Sequence, residues 1–111
     1  MTDRKQMGRL AELAALVRDQ RLELLRMAAE RRATTERLMA GLEQPGTDAL
    51  PAMVAARAEL AYQGWAEQRR RELSRILAAQ TAECEARRDA ARLAFGRAEV
   101  LDKLRKAQKP S

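Results

Sequence analysis

A chain of 111 residues without a single histidine lacks the side chain most often used as a general base and as a metal ligand near neutral pH. A nucleophile–histidine–acid triad, a histidine zinc site and a histidine proton shuttle are therefore excluded. The one cysteine, Cys84, has no second thiol for an internal disulfide, which suits a reducing cytoplasm better than a secreted location. Inside a helix it reads as a small residue facing a packing seam. Carboxylate pairs such as Glu83 with Glu85, or Glu85 with Asp89, occur on any charged helix, and no pocket is expected to enclose them for acid–base work. Gly8, Gly41, Gly46, Gly64 and Gly96 stand singly and none begins a Gly-Lys-Ser/Thr motif, so no phosphate-cradling loop is expected. The residues thus assign no catalytic group, no metal ligand and no cofactor site, and the expectation is a non-enzymatic protein.

The residues that remain are suited to binding. Lys and Arg number 22 against 16 Asp and Glu, a formal net charge of +6, with 12 basic and 7 acidic side chains in residues 65–111. Clustered cations displace counterions from phosphates, which makes nucleic acid the first partner to weigh. Acidic residues are interspersed throughout, however, and the one dense basic run is Arg69-Arg70-Arg71. Few aromatics are present to stack on bases, so solvated helix faces laced with ion pairs fit the pattern better. From Ala91 to Lys109 the large apolar residues are Leu93, Phe95, Val100, Leu101 and Leu104, too slight a face to lie in lipid. They suit docking against a helix or groove, approached with help from Arg92, Arg97, Lys103, Arg105 and Lys106. Leu60, Tyr62 and Trp65 form a second candidate. Trp65 either fills a gap in a packing seam or, if exposed, anchors a partner.

Long helices must position these groups. Hydrophobic residues make up 46% of the chain, but much of this is alanine; 34% is charged and only 3% aromatic, a mixture typical of coiled coils. Gln44-Pro45-Gly46-Thr47-Asp48 is a turn signal that separates a helix over about 3–43 from one over about 48–107. Asp3 and Gln6 suggest a capping box, Gly41 weakens the last turn of the first helix, and Asp48 caps the second with Pro51 at its third position. Pro110 stands past the end.

In the first helix Leu10, Leu13, Val17, Leu24, Met27 and Leu38 follow 3–4 spacing, with Gln20, Arg31 and Thr34 on the same seam. In the second, Leu73, Leu77, Gln80, Cys84, Arg87, Ala91, Ala94, Ala98 and Leu101 alternate in the same way. Leu50, Met53, Arg57 and Leu60 form an earlier seam in another phase, so a stutter or bend is expected between Ala61 and Glu72, where Gly64 also weakens the helix. The expected fold is all-α: one long two-helix antiparallel coiled-coil hairpin spanning 1–111. Folding back at Pro45-Gly46 leaves the C-terminal helix longer, with about 91–109 projecting beyond Met1. The charged start and the absence of a long apolar run imply a soluble, cytoplasmic protein with no membrane insertion.

The closing stretch Ala91-Arg92-Leu93-Ala94-Phe95-Gly96-Arg97-Ala98-Glu99-Val100-Leu101-Asp102-Lys103-Leu104-Arg105 resembles the end of the FliJ/YscO family of type III export proteins. There a helix ends in an Arg-x-x-x-Glu-x-Leu-x-Lys-Leu-like pattern, matched by Arg97, Val100, Leu101, Lys103 and Leu104, with Glu99 displaced. The two unequal helices are also similar to that family's layout. The resemblance implies a non-enzymatic component of the flagellar export apparatus, cytoplasmic and peripheral to the membrane. Its hairpin would enter the hexameric export ATPase like a rotary stalk, contact the export gate protein and escort export chaperones. Arg92, Phe95, Arg97, Leu101, Lys103, Leu104 and Arg105 are the expected ring-binding residues. Leu60, Tyr62 and Trp65 are those expected to meet the gate or chaperones.

Three other readings remain open. A helical export chaperone or adaptor would hold its partner along the middle of the seam. A basic dimeric four-helix bundle would bind nucleic acid through Arg69 to Arg71. A coiled-coil spacer would have no specific site.

Overall fold

Strong helix formers run almost unbroken from residue 2 to residue 40 and again from 52 to 107, and both stretches are helical. The computed structural model describes residues 2–43 and 51–108. Helix α1 spans Thr2–Ala40, a 3-10 turn follows at Gly41–Glu43, and helix α2 spans Ala52–Ala107; no strand occurs among the described residues. The helices have 39 and 56 residues, or about 58 and 84 Å at the usual rise.

The ends follow from local chemistry. Asp3 lies inside the first turn of α1, where its charge complements the helix dipole, rather than outside it as a cap. At Gly41 the α-helix gives way to the tighter 3-10 form. Pro51 is not the third residue of α2, because its carbonyl accepts the Ala55 N–H at 2.7 Å and the helix begins after it, at Ala52. Proline has no amide hydrogen to lose at such a boundary. The expected cap at Asp48, the turn at 44–48, Leu50 and Pro110 lie outside the described residues. Gly64 is spanned by continuous helix.

The chain divides into two packed units: residues 1–29 with 82–111, and residues 30–81. In the second unit Leu42, Ala66 and Leu73 form a small core, with Met39 and Tyr62 packed against it. Leu73 is the most enclosed large side chain there, at 2% exposure. The Tyr62 hydroxyl donates to the Leu42 carbonyl at 3.0 Å, satisfying an acceptor that the helix end leaves open. Thr35, buried beside this core on α1, donates its hydroxyl to the Arg31 carbonyl one turn back at 3.3 Å, so its burial leaves no orphaned donor.

In the first unit the enclosed side chains are all small: Ala11, Ala28, Cys84, Ala91, Ala94 and Ala98. The Arg4 guanidinium donates to the Gln108 carbonyl at 2.8 Å, and the Arg18 guanidinium lies 5.7 Å from the centre of the Phe95 ring. Partners of successive α1 residues therefore lie progressively earlier in α2.

These contacts correct the expected overhang. The segment 91–108 does not project as a lone helix, because Ala91, Ala94 and Ala98 are buried in the unit it forms with residues 1–29. Tyr62, ten residues after Ala52, bonds to the 3-10 turn, and of residues 52–61 Ala55 and Ala58 are half-buried while the others are exposed. Measuring the register from the turn signal assumed that pairing begins as soon as α2 does.

The α2 seam is as its spacing predicts: Leu73, Leu77, Gln80, Cys84, Arg87, Ala91, Ala94, Ala98 and Leu101 are all buried or half-buried. The earlier seam is not, since Met53, Arg57 and Leu60 are exposed while Tyr62, Ala66 and Arg69 turn inward. Consecutive four-residue steps occur at Ala58, Tyr62 and Ala66 and again at Arg69, Leu73 and Leu77, so the change of phase spans the expected stretch.

The α1 seam is displaced by one residue. Ala11, Ala14, Arg18, Arg21, Leu25, Ala28, Arg32, Thr35, Met39 and Leu42 are buried or half-buried; of the expected seam Val17 and Leu24 are also half-buried, whereas Leu10, Leu13, Gln20, Met27, Arg31, Thr34 and Leu38 are exposed. One residue is about 100° of helix rotation, so α1 presents its alanines inward and its leucines to one side.

Candidate functional site

The side chains expected at the C-terminal end do not converge on one surface. Leu101 and Arg105 lie half-buried on the seam of α2. Phe95 faces one flank, in a groove with Ala11, Ala15, Arg18, Ala98 and Asp102. Its contact with Arg18 is a cation–π pair of about 0.5–1 kcal/mol at such an exposed site. Arg97 faces the opposite flank, in a groove with Leu10, Leu13, Ala14, Val17 and Ala94. Leu104, a multiple of 3.5 residues from Arg97, shares that side of α2. Arg92 and Lys103 point outward, with side chains about three-quarters exposed. The structure therefore brings Arg97 and Leu104 together and separates them from Phe95.

Ion pairs hold most of the cations at this end. Arg92 meets Asp89 at 3.9 Å, Lys103 meets Glu99 at 3.2 Å, and Asp102 takes both Arg105 at 2.8 Å and Lys106 at 3.1 Å. The hydrogen bond from Lys106, with the charges of Lys106 and Arg105, holds the Asp102 carboxyl below its ordinary value. Near the other end of α1's first-unit segment, a hydrogen bond from Arg26 and its charge do the same for Glu23. All these carboxylates sit one turn from their partners, as helix geometry requires, and such exposed pairs add little stability each. Among the described residues no ion pair engages Arg97.

The second expected group is split. Tyr62 is half-buried and committed to the Leu42 core, while Trp65, 55% exposed, leans on its ring with centroids 5.7 Å apart at an angle of 46°. Trp65 therefore does not plug the seam. Leu60 is exposed but lies five residues from Trp65, about 140° around the helix, so the two face different directions. In the basic run, Arg69 pairs with Glu72 at 3.2 Å and Arg71 with Glu67 at 3.0 Å, so two of its three cations already have carboxylate partners.

What spacing alone missed is the apolar side of the first unit. Leu93, Gly96, Val100 and Leu101 line an open groove with Asp89, Arg92 and Arg97. Leu10, Leu13 and Val17 of α1 lie across Arg97 from it. The signal was present as two rival α1 stripes one residue apart, of which the more hydrophobic leaves Leu10, Leu13, Met27 and Leu38 exposed. No group of three or more His, Cys, Asp or Glu able to hold a metal ion occurs among the described residues. No helix among them is long and apolar enough to cross a membrane. No family model, curated protein or solved structure matches this chain.

Proposed function

We propose that this chain is a non-enzymatic component of a bacterial flagellar type III export apparatus, working in the cytoplasm at the periphery of the membrane machinery. In this reading its two helices form an antiparallel coiled-coil hairpin that engages the hexameric export ATPase as a stalk and links it to the export gate protein and export chaperones. The observation that carries the proposal is the closing pattern Arg97, Val100, Leu101, Lys103 and Leu104, set near the end of the 56-residue helix. Two helices without a strand among the described residues, and the reversed order of contacts from Arg4–Gln108 to Arg18–Phe95, support the hairpin. Exposed Arg92 and Lys103 give the end of α2 cations that speed encounter with an acidic partner. Exposed Trp65 supports a separate anchor for the gate or a chaperone.

Truncation after Ala90 is a poor test, because it deletes Ala91, Ala94 and Ala98, on which the first unit packs. The better experiment titrates the purified full chain into the hexameric export ATPase of a flagellated bacterium and measures binding and ATP hydrolysis. Saturable binding is expected, weakened about tenfold in the outward-facing double variant Arg92→Glu/Lys103→Glu. No binding by the intact chain sinks the stalk reading. Capture of export chaperones without the ATPase, lost in Trp65→Ala, would establish the adaptor reading instead.

A further inference from the structure

The first unit is built inside out for its composition: alanine and cysteine fill its interior while leucine and valine line one side of it. On α2 the exposed or half-buried residues Ala82, Ala86, Ala90, Leu93, Arg97, Val100 and Leu104 recur at steps of four and three. That is a second coiled-coil seam on the same helix, beside the one already used. Leu93 and Val100 are each 56% exposed, and Leu104 is 46% exposed. Leu10 and Leu13 of α1 lie on the same side, as their shared groove with Ala94 and Arg97 shows. An apolar side that spans two helices is matched by another pair of helices, as in a four-helix bundle.

The sequence of this second seam is complementary to itself. When a two-fold axis passes beside Leu93 and the second helix runs antiparallel, residue i lies opposite the residue equally far beyond Leu93 in the other direction. Ala82 then faces Leu104, Ala86 faces Val100, and Ala90 faces Gly96, so away from Leu93, which meets its own copy at the axis, each large side chain meets a small one. Arg97, the charged residue of the stripe, faces Asp89. Within the chain Arg97 has no ion pair among the described residues, and the carboxylate of Asp89 reaches only Arg92, at 3.9 Å. Such mutual pairing, in which residue i contacts j and j contacts i, is what a two-fold interface demands.

We propose that two copies of this chain associate through this side of the first unit, their α2 segments antiparallel about an axis beside Leu93, with Arg97 of each copy paired to the partner's Asp89. This association is independent of the export reading. Leu93 meets its symmetry mate at the axis, and Leu10 and Leu13 of each copy close over the partner's helix. Because Arg97 and Leu104 are also residues of the proposed ATPase contact, dimer and ATPase compete for the same side.

The test is charge reversal on the full chain, read by sedimentation across a concentration series with helicity followed by circular dichroism. The unmodified chain is expected to show a reversible monomer–dimer equilibrium. Arg97→Asp and Asp89→Arg should each weaken it about tenfold or more, and the double variant should restore it to within about threefold, as the coupling of a direct pair requires. A chain that is monomeric at all concentrations overturns the proposal, as do single variants that dimerise unchanged or a double variant that is not rescued. A covalent check is Leu93→Cys in a Cys84→Ala background, which should oxidise to a disulfide-linked dimer, whereas Val100→Cys in that background should not. The opposite pattern of crosslinking places the axis elsewhere and also overturns it. A monomer whose Leu93 side is protected only by an added amphipathic helix would hand the surface to a different occupant.

Discussion

The two units solve the same packing problem with different side chains. In residues 30–81 the seam holds Leu42, Leu73 and the edge of Tyr62, so apolar bulk is used inside the unit. In the unit formed by 1–29 and 82–111 the fully buried residues are alanine and cysteine, and comparable bulk at Leu10, Leu13, Leu93 and Val100 is left in contact with water. Burying an alanine removes little surface, whereas a fully buried leucine contributes about 1.5–3 kcal/mol. The second unit therefore draws more of its stability from large buried side chains, although it too exposes Met53, Leu60 and Trp65. In the first, the proposed dimer would bury the face that carries its largest unused apolar area. A low count of large core residues thus marks a different destination for them, and not merely a weak fold.

The contrast is broken most severely at Leu73. Leu73→Ala deletes the most enclosed large side chain of the second unit and is expected to cost about 2–4 kcal/mol, with faster amide exchange over 59–77 before any change over 82–105. Thermal unfolding with hydrogen exchange resolves both points. A cost of only a few tenths of a kcal/mol, or exchange that rises equally in both segments, would show that the units do not differ as described.

Ala94→Leu probes the other seam. Ala94 is buried against α1 with only the flanking Leu10–Arg97 groove beside it, so overpacking of about 1–3 kcal/mol is expected, although the substitution raises hydrophobicity and helix propensity is barely altered. Stabilisation by this variant would mean that the alanine seam is loose and not fitted.

The smallest effect is electrostatic and sharpens how little the surface pairs matter. The Asp102 carboxyl is held below its ordinary 3.8 by Lys106 and Arg105. A depressed carboxylate contributes stability that is present above the unfolded value and lost as pH falls through the folded one. Acidification below about pH 4 should therefore loosen the last turns of α2 near Asp102, and little else, followed by carbon-detected NMR titration of that carboxyl. An upward displacement of its midpoint would remove the pairing with Lys106 from the description.

How much of this was legible depended on whether one surface or two had to be known. The α2 seam from Leu73 to Leu101 could be read residue by residue, because its 4–3 alternation has no stronger competitor on that helix. Cys84 was recognisable as a small interior residue for the same reason. On α1, Leu10 and Leu13 outweigh Ala11 and Ala14 in hydrophobicity, yet the alanines are the ones turned inward, while Val17 and Arg18 are both half-buried. What decides is the opposing surface: Ala91, Ala94 and Ala98 offer shallow ground on which alanines fit and leucines would hold the helices apart. The candidate ring-binding residues were legible as a cationic, apolar segment, but their division between the Phe95 and Arg97 flanks was not.

Helix formation, the turn signal at 44–48, the excess length of α2 over α1 and the lack of histidine chemistry are all properties of the chain read one stretch at a time. They depend on local propensity and residue type, which a sequence carries directly. Only the tertiary structure decided which residues of α1 turn inward, that the end of α2 packs with residues 1–29 and does not project, and that Leu93 and Val100 share a side with Leu10 and Leu13. Each of these is set by complementarity between helices far apart in sequence, and a periodicity within one helix contains no record of the surface it will meet.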